Sequence, residues 1–271
     1  MKKRVVVAMS GGVDSSVAAC LLKRQGYEVI GMTMCFNLPD ATRRKPSCCG
    51  MQGIEDARRI AHLLDIRHYV VSMQRELKRY VIADFLREYA AGRTPNPCVR
   101  CNRFVKFSAL LRKARSLDAD YLATGHYVRI EAQRLKKAKD PEKDQSYFLY
   151  SLRPAQLRHL LFPLGEYRKT EVRSLARRYG LPVADKPGSQ EICFLPQDDY
   201  RSFLKTYGRI KETPGDIVDT GGVVLGRHKG LAFYTVGQRQ GLGLAWRHPL
   251  YVIALSRREN RVVVGPRAQA Y

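Results

Sequence analysis

The chain opens on an unbroken apolar run, Val5 to Met9, then turns polar and Gly-containing, then becomes apolar again across residues 14–24. A short continuous apolar run bounded by turn residues reads as a buried strand, and the longer segment behind it as a helix. Glu28 to Met34 reads as a second strand, which makes a βαβ opening. Ile54 to Leu64 carries apolar residues at 57, 60, 61 and 64, the spacing of one helical face. Ile66 to Val71 predicts a third strand. Leu77, Val81, Phe85 and Tyr89 repeat at 3–4 spacing and predict an amphipathic helix. Phe107 to Ala114 is helical, Tyr121 to Thr124 a short strand, and Thr170 to Tyr179 a helix stopped by Gly180 and Pro182. Strands alternating with helices predict an α/β fold, a parallel sheet covered on both faces.

The pattern changes after about residue 205, where Gly-rich turns such as Asp219-Thr220-Gly221-Gly222 separate short Val-rich runs. Tyr251 to Ala254 and Val262 to Val264 read as strands joined by a Ser-Arg-Arg-Glu-Asn turn. The expected organisation is a catalytic α/β domain over residues 1–204 and a small β-domain over 205–271. Residues 131–143, EAQRLKKAKDPEK, predict an exposed charged loop or arm.

Composition narrows the class. Hydrophobic residues make up 45% of the 271, yet no apolar run reaches the ~18–20 residues a membrane span needs. The N-terminus runs directly into the first strand without the pattern of a signal peptide, so a cytoplasmic, membrane-free protein is expected. Lys plus Arg number 48 against 25 Asp plus Glu, a net charge of +23. Such an excess repels itself unless an anion binds, which points to nucleic acid without separating RNA from DNA.

Ser10-Gly11-Gly12-Val13-Asp14-Ser15-Ser16 follows a buried strand and opens a helix. Glycines let the backbone turn tightly against an anion, and the helix start offers unpaired amides and a positive dipole end. Asp14 either caps the helix or holds Mg²⁺. No Walker-type G-x-x-x-x-G-K-[ST] occurs. S-G-G-x-D-S resembles the signature of the PP-loop ATP pyrophosphatases. That resemblance implies an adenine nucleotide α-hydrolase-like fold with a five-stranded parallel sheet. It also implies cleavage of ATP between the α and β phosphates to activate a carbonyl oxygen as an adenylate.

Seven cysteines remain to be placed. Cys20 lies in a helical apolar pattern and Cys35 ends an apolar strand, so both read as structural. Cys48, Cys49, Cys98, Cys101 and Cys193 sit among Pro, Gly and polar residues, where reactive or metal-binding thiols occur. The Cys98-x-x-Cys101 pair fits a zinc site or a sulfur-transfer pair, in which one thiol carries sulfur as a persulfide and another releases it. Taken with AMSGGVDSS at 8–16, the chain resembles the tRNA-specific 2-thiouridylases over essentially its whole length. The matching stretches are GRTPNPCVRCNRFVKF at 92–107, ATGHY at 123–127, KDQSYFL at 143–149, KTEVRSLARRYGLPVADKPGSQEICF at 169–194, YTVGQRQGLGL at 234–244 and PLYVIALSRRENRVVVGP at 249–266.

The resemblance implies ATP-dependent 2-thiolation of the tRNA wobble uridine, with sulfur supplied by a persulfide donor protein. Ala8, Met9, Ser10, Gly11, Gly12, Val13, Asp14 and Ser15 would hold the ATP phosphates, and Met34 and Gly125 the adenosine. Asn96, Pro97 and Cys98 would face the target base, and His126, Lys143, Asp144 and Gln145 would contact tRNA. Cys101 would be the nucleophile and Cys193 the persulfide carrier. Arg100, Arg103 and Lys106 either lower the thiol pKa values or contact phosphate.

Two features depart from the family pattern. The family's usual C-terminal β-barrel is expected to be absent. Position 98 is often Asp in relatives and is Cys here, which leaves open a 4Fe–4S cluster held by Cys98, Cys101 and Cys193. Another PP-loop ligase, or a catalytically inert RNA-binding protein, are the competing functions.

Overall fold

The computed structural model describes residues 2–37, 51–188, 192–195 and 199–270. Cys48 and Cys49 lie outside these residues, as do Ser189, Gln190 and Glu191 of the SQEICF stretch. The chain divides into two compact units. The first comprises Met1–Val81 and Cys98–Asp198, the second Ile82–Pro97 and Asp199–Tyr271.

In the first unit, β1 (Arg4–Ala8) sits centrally and pairs in parallel with β2 (Glu28–Cys35) and β4 (Tyr121–Ala123). The register sets Val6 opposite both Ile30 and Leu122. Adding β3 (Arg67–Ser72) and β7 (Leu160–Leu161) gives a five-stranded parallel sheet of order β3-β2-β1-β4-β7. Val5, Val6 and Val7 are wholly buried because β1 is covered on both faces. Helix α1 (Val13–Arg24) is buried from Val13 through Leu22, apart from Asp14, with its small Ala18 and Ala19 wholly buried. It packs against the helix Lys169–Arg178, which presents Val172 and Ala176. Helix α2 (Met51–Leu63) buries Ala57, Ile60 and Ala61, three of the four positions of the predicted face, and Leu64 follows just beyond it, also buried.

Three features differ from the sequence expectation. Strand β7 is two residues long, too short to show a period. The helix expected at 107–114 begins earlier, at Pro97, and runs through a π-helical stretch, Cys101–Leu110. Residues 131–143 are mostly exposed, as expected, but carry regular structure. They begin in a hairpin of β5 (Arg129–Glu131) and β6 (Arg134–Lys136), followed by buried Ala138 and Asp140. Asp140 Oδ2 accepts the Lys169 amide at 2.8 Å and so caps the distant helix.

The second unit holds a four-stranded sheet of order β10-β11-β8-β9, formed by β8 (Gly215–Val218), β9 (Val224–His228), β10 (Tyr251–Ser256) and β11 (Arg261–Gly265). Its helical layer pairs Ala83–Ala90 with Tyr200–Thr206. Tyr89 stacks on Tyr200 with ring centroids 5.1 Å apart, and Phe85 meets Phe203 edge-on at 6.1 Å. These contacts place the unit's start at Asp199 and include residues 82–97, so the chain does not divide at 204/205. His228 is a neutral core residue: Nε2 donates to the Asn260 carbonyl and Nδ1 accepts from Gly230 N.

Candidate active site

In an open parallel sheet, ligands bind beyond the carboxyl ends of the strands where the strand order reverses. That point here lies between β1 and β4. The chain leaving β1 becomes the Ser10–Gly12 loop, and the chain leaving β4 becomes Thr124-Gly125-His126. A cavity of about 290 Å³ lies at this place.

Gly11 takes φ +70°, and any β-carbon there would run into the carbonyl of Gly53 in α2. Gly125 has no room for a side chain either, since a β-carbon would come within 2.8 Å of the Asp14 and Ser15 backbone. Both glycines let the loop close over the start of α1. The first intrahelical bond runs from Ser16 N to the Gly12 carbonyl, so the amides of Val13, Asp14 and Ser15 have no partner further back in the helix. Ser15 Oγ accepts from Ser10 N at 3.1 Å and so fixes the loop's shape.

Asp14 does not cap α1, whose N-cap is Gly12. Its two oxygens accept from Lys169 Nζ at 2.6 and 2.7 Å, and Oδ1 also accepts from Tyr127 OH at 2.8 Å. Burial and the adjacent Asp14 carboxylate hold the Tyr127 phenol far above its ordinary value, so it stays a donor. Lys186 Nζ donates to Asp56 at 2.6 Å and to the Gly11 carbonyl at 3.1 Å. Among the described residues, Lys106, Lys169 and Lys186 line the cavity, and Asp14 is the one carboxylate there. That balance suits a polyphosphate. Asp14 also fits Mg²⁺, because a magnesium–phosphate complex needs only one or two protein carboxylates.

Ala8, Met9, Ser10, Gly12, Val13, Asp14, Ser15, Met34 and Gly125 all line the cavity, and Gly11 contributes its carbonyl behind it. His126 and Gln145, expected on the RNA side, line it as well. Burial and then Lys106 push His126 well below the usual imidazole value, so the ring is neutral at pH 7. Its Nδ1 is 2.6 Å from Thr124 Oγ1. Gln145 Oε1 accepts from Tyr127 N, which ties the 143–149 loop to the end of β4. Asp144 accepts from Ala138 N and Ser146 Oγ at 2.7 Å each. Lys143 is exposed.

Among the described residues, the cysteines Cys20, Cys35, Cys98, Cys101 and Cys193 lie outside the cavity lining. Asn96 and Pro97 belong to the second unit and Cys98 begins the second segment of the first. Cys98 is exposed, Cys101 is buried one helical turn later, and Cys193 is half-buried. Arg100 and Arg103 sit over the Phe104 ring at 4.5 and 4.9 Å. Among the described residues no three His, Cys, Asp or Glu side chains are gathered as metal ligands. Cys98, Cys101 and Cys193 are therefore not gathered into a preformed cluster site.

Lys169, Lys186 and Tyr127 were not singled out from sequence. Lys169 had one signal: a cation at the first position of a helix opposes the dipole unless a carboxylate faces it.

The fold and cradle define an adenine-nucleotide-binding α/β domain of the HUP or PP-loop class, followed by a separate β-domain. The tRNA methyl transferase HUP domain matches residues 3–197 and the tRNA methyl transferase PRC-barrel domain residues 201–266. The tRNA-specific 2-thiouridylase MnmA 1 of Syntrophus aciditrophicus is 52% identical, covering 100% of this chain and 73% of that protein. The tRNA-specific 2-thiouridylase MnmA of Geobacter metallireducens is 53% identical, covering 99% and 76%. The chain belongs to the tRNA-specific 2-thiouridylase MnmA family. Among solved structures, a 4-thiouridine synthetase–RNA complex with bound ATP is 18% identical, with a TM-score of 0.45, over 75% of this chain and 50% of that one. No helix among the described residues is long and apolar enough to cross a membrane.

Proposed function

We propose that this chain is a tRNA-uridine 2-sulfurtransferase that thiolates the wobble uridine with ATP, in the cytoplasm, using sulfur from a persulfide donor protein. The observation that carries this reading is the composition of one cavity. It joins the phosphate loop and its lysines to His126 and Gln145, the residues expected toward the RNA. The description of the matched domains speaks of methyl transfer, whereas the relatives matching the whole chain are 2-thiouridylases.

ATP lies with its phosphates against the α1 amides, Lys169 and Lys186. Mg²⁺ held by Asp14 would neutralise part of their charge, and Lys169 exchanges Asp14 for phosphate. Uridine C2 is a poor electrophile, because two ring nitrogens feed electrons into it. Uridine O2 attacks the α-phosphorus, pyrophosphate leaves, and O2 becomes part of a good leaving group. The terminal sulfur of a Cys193 persulfide attacks C2, and AMP departs with O2. Cys101 thiolate then attacks Cys193 Sγ and breaks the persulfide S–S bond. The electron pair of that bond stays on the sulfur attached to C2, giving 2-thiouridine and a Cys101–Cys193 disulfide, which an external dithiol reduces. Neutral His126 next to Lys106 can donate or accept a hydrogen bond without adding charge.

The test is incubation of the purified chain with unmodified tRNA, ATP–Mg²⁺ and a persulfide donor, followed by nucleoside mass spectrometry. ATP-dependent 2-thiouridine supports the proposal. Cys101→Ser and Cys193→Ser should form none, whereas Cys98→Asp should remain active. Methylated uridine, or no modified uridine, would contradict it.

A further inference from the structure

Between β9 and β10 the second unit projects a loop whose neck is closed by two backbone bonds. Gly237 N donates to the Val252 carbonyl at 2.8 Å and Val252 N to the Gln238 carbonyl at 2.9 Å. Leu242 is buried beneath the loop, and Leu244 leans on β9 so closely that a β-carbon on Gly226 would come within 2.7 Å of it. Gly241 and Gly243 take φ +73° and +70°, which bend the chain around these two anchors. What the anchored loop presents outward is unusual. Trp246, the sole tryptophan of the chain, is 57% exposed. Arg239, Arg247 and His248 stand exposed around the same groove. Residues 237–250 contain no Asp or Glu.

An exposed indole costs hydration free energy, and the loop that carries it is tied down at its neck and by Leu242 and Leu244. An exposed aromatic face in a groove that two guanidinium groups also line matches an unpaired nucleobase with its flanking phosphates. The base stacks on the ring and the cations meet the backbone. The net charge of +23 favours the same polyanionic partner.

We propose that the 239–250 loop is an RNA-docking surface on which Trp246 stacks an unpaired base of the tRNA, with Arg239 and Arg247 on the adjoining phosphates. This rests on the reading above that tRNA is the substrate. It adds a contact in the second unit, far in sequence from the phosphate loop.

The single tryptophan makes the surface directly observable. Intrinsic fluorescence of the full chain is followed during titration with unmodified tRNA, with oligouridylate and with anionic phospholipid vesicles, while filter binding measures tRNA affinity independently. Saturable quenching by tRNA at the concentrations that saturate filter binding is expected. Trp246→Ala should weaken tRNA binding roughly 5- to 100-fold and Trp246→Phe should recover most of that loss. Thermal melting of each variant verifies that it is folded. Filter binding without quenching, with Trp246→Ala binding as tightly as wild type, overturns this docking surface and leaves the function standing. A fluorescence response to vesicles but not to tRNA also overturns it. No tRNA binding in either assay removes the reading of function and this surface with it.

Discussion

At the scale of single residues, the site depends on charges that meet across long stretches of chain. Lys169 reaches Asp14 over 155 positions, and Lys186 reaches Asp56 over 130. The S-G-G-V-D-S loop was legible because its function is local, carried by glycines and a helix start within seven residues. The lysines were not legible, since nothing near them in sequence says which carboxylate they face. Its place at a helix start makes Asp14 a cap or a metal ligand by sequence, and in the structure it anchors a lysine and a tyrosine. Lys169→Met removes the ammonium while Tyr127 still bonds Asp14, so the loop should keep its shape. The variant is expected to lose roughly 10²- to 10³-fold in tRNA-dependent pyrophosphate release. An unchanged rate would separate Lys169 from the phosphates.

At the scale of elements, apolar spacing located the long pieces and missed the short or irregular ones. The 57, 60, 61, 64 face and the 77, 81, 85, 89 face are buried as expected. The helix carrying the second face passes through a π-helical turn at Lys78–Ile82, which spacing of 3 and 4 does not reveal. The basic 131–143 stretch looked solvated by composition, yet Asp140 is anchored by the helix it caps. Close approach of elements yields a graded prediction. Gly26 has φ +89° with nothing within 4 Å of a β-carbon, so Gly26→Ala should cost only left-handed strain, about 1–2 kcal/mol. Gly11→Ala adds a collision with the α2 backbone and should cost about 1–3 kcal/mol more. Urea unfolding of the two variants measures the difference. Equal costs would show that α2 yields freely to the loop.

At the scale of the whole molecule, the acid limit is set by three histidines, His228 buried and His68 and His126 half-buried. His68, His126 and His228 are each lowered from the usual 6.5, chiefly by burial. A base with a depressed folded pKa takes up protons on unfolding, so stability is complete above about 6.5 and falls as pH drops below it. The thermal midpoint should therefore decline between about pH 7.5 and 5.5, before the surface carboxylates lowered by ion pairs, such as Glu28 and Glu88, begin to protonate. A flat midpoint over that range would show that the histidines are solvated. The central claim is chemical: that the uridine O2 leaves on AMP. It is tested most directly by giving the chain ATP–Mg²⁺, a persulfide donor and tRNA labelled with ¹⁸O at uridine O2, then analysing the released nucleotide. The account predicts one ¹⁸O atom in the phosphate of AMP for each 2-thiouridine formed. Unlabelled AMP, or label recovered in inorganic phosphate beside ADP, would contradict it.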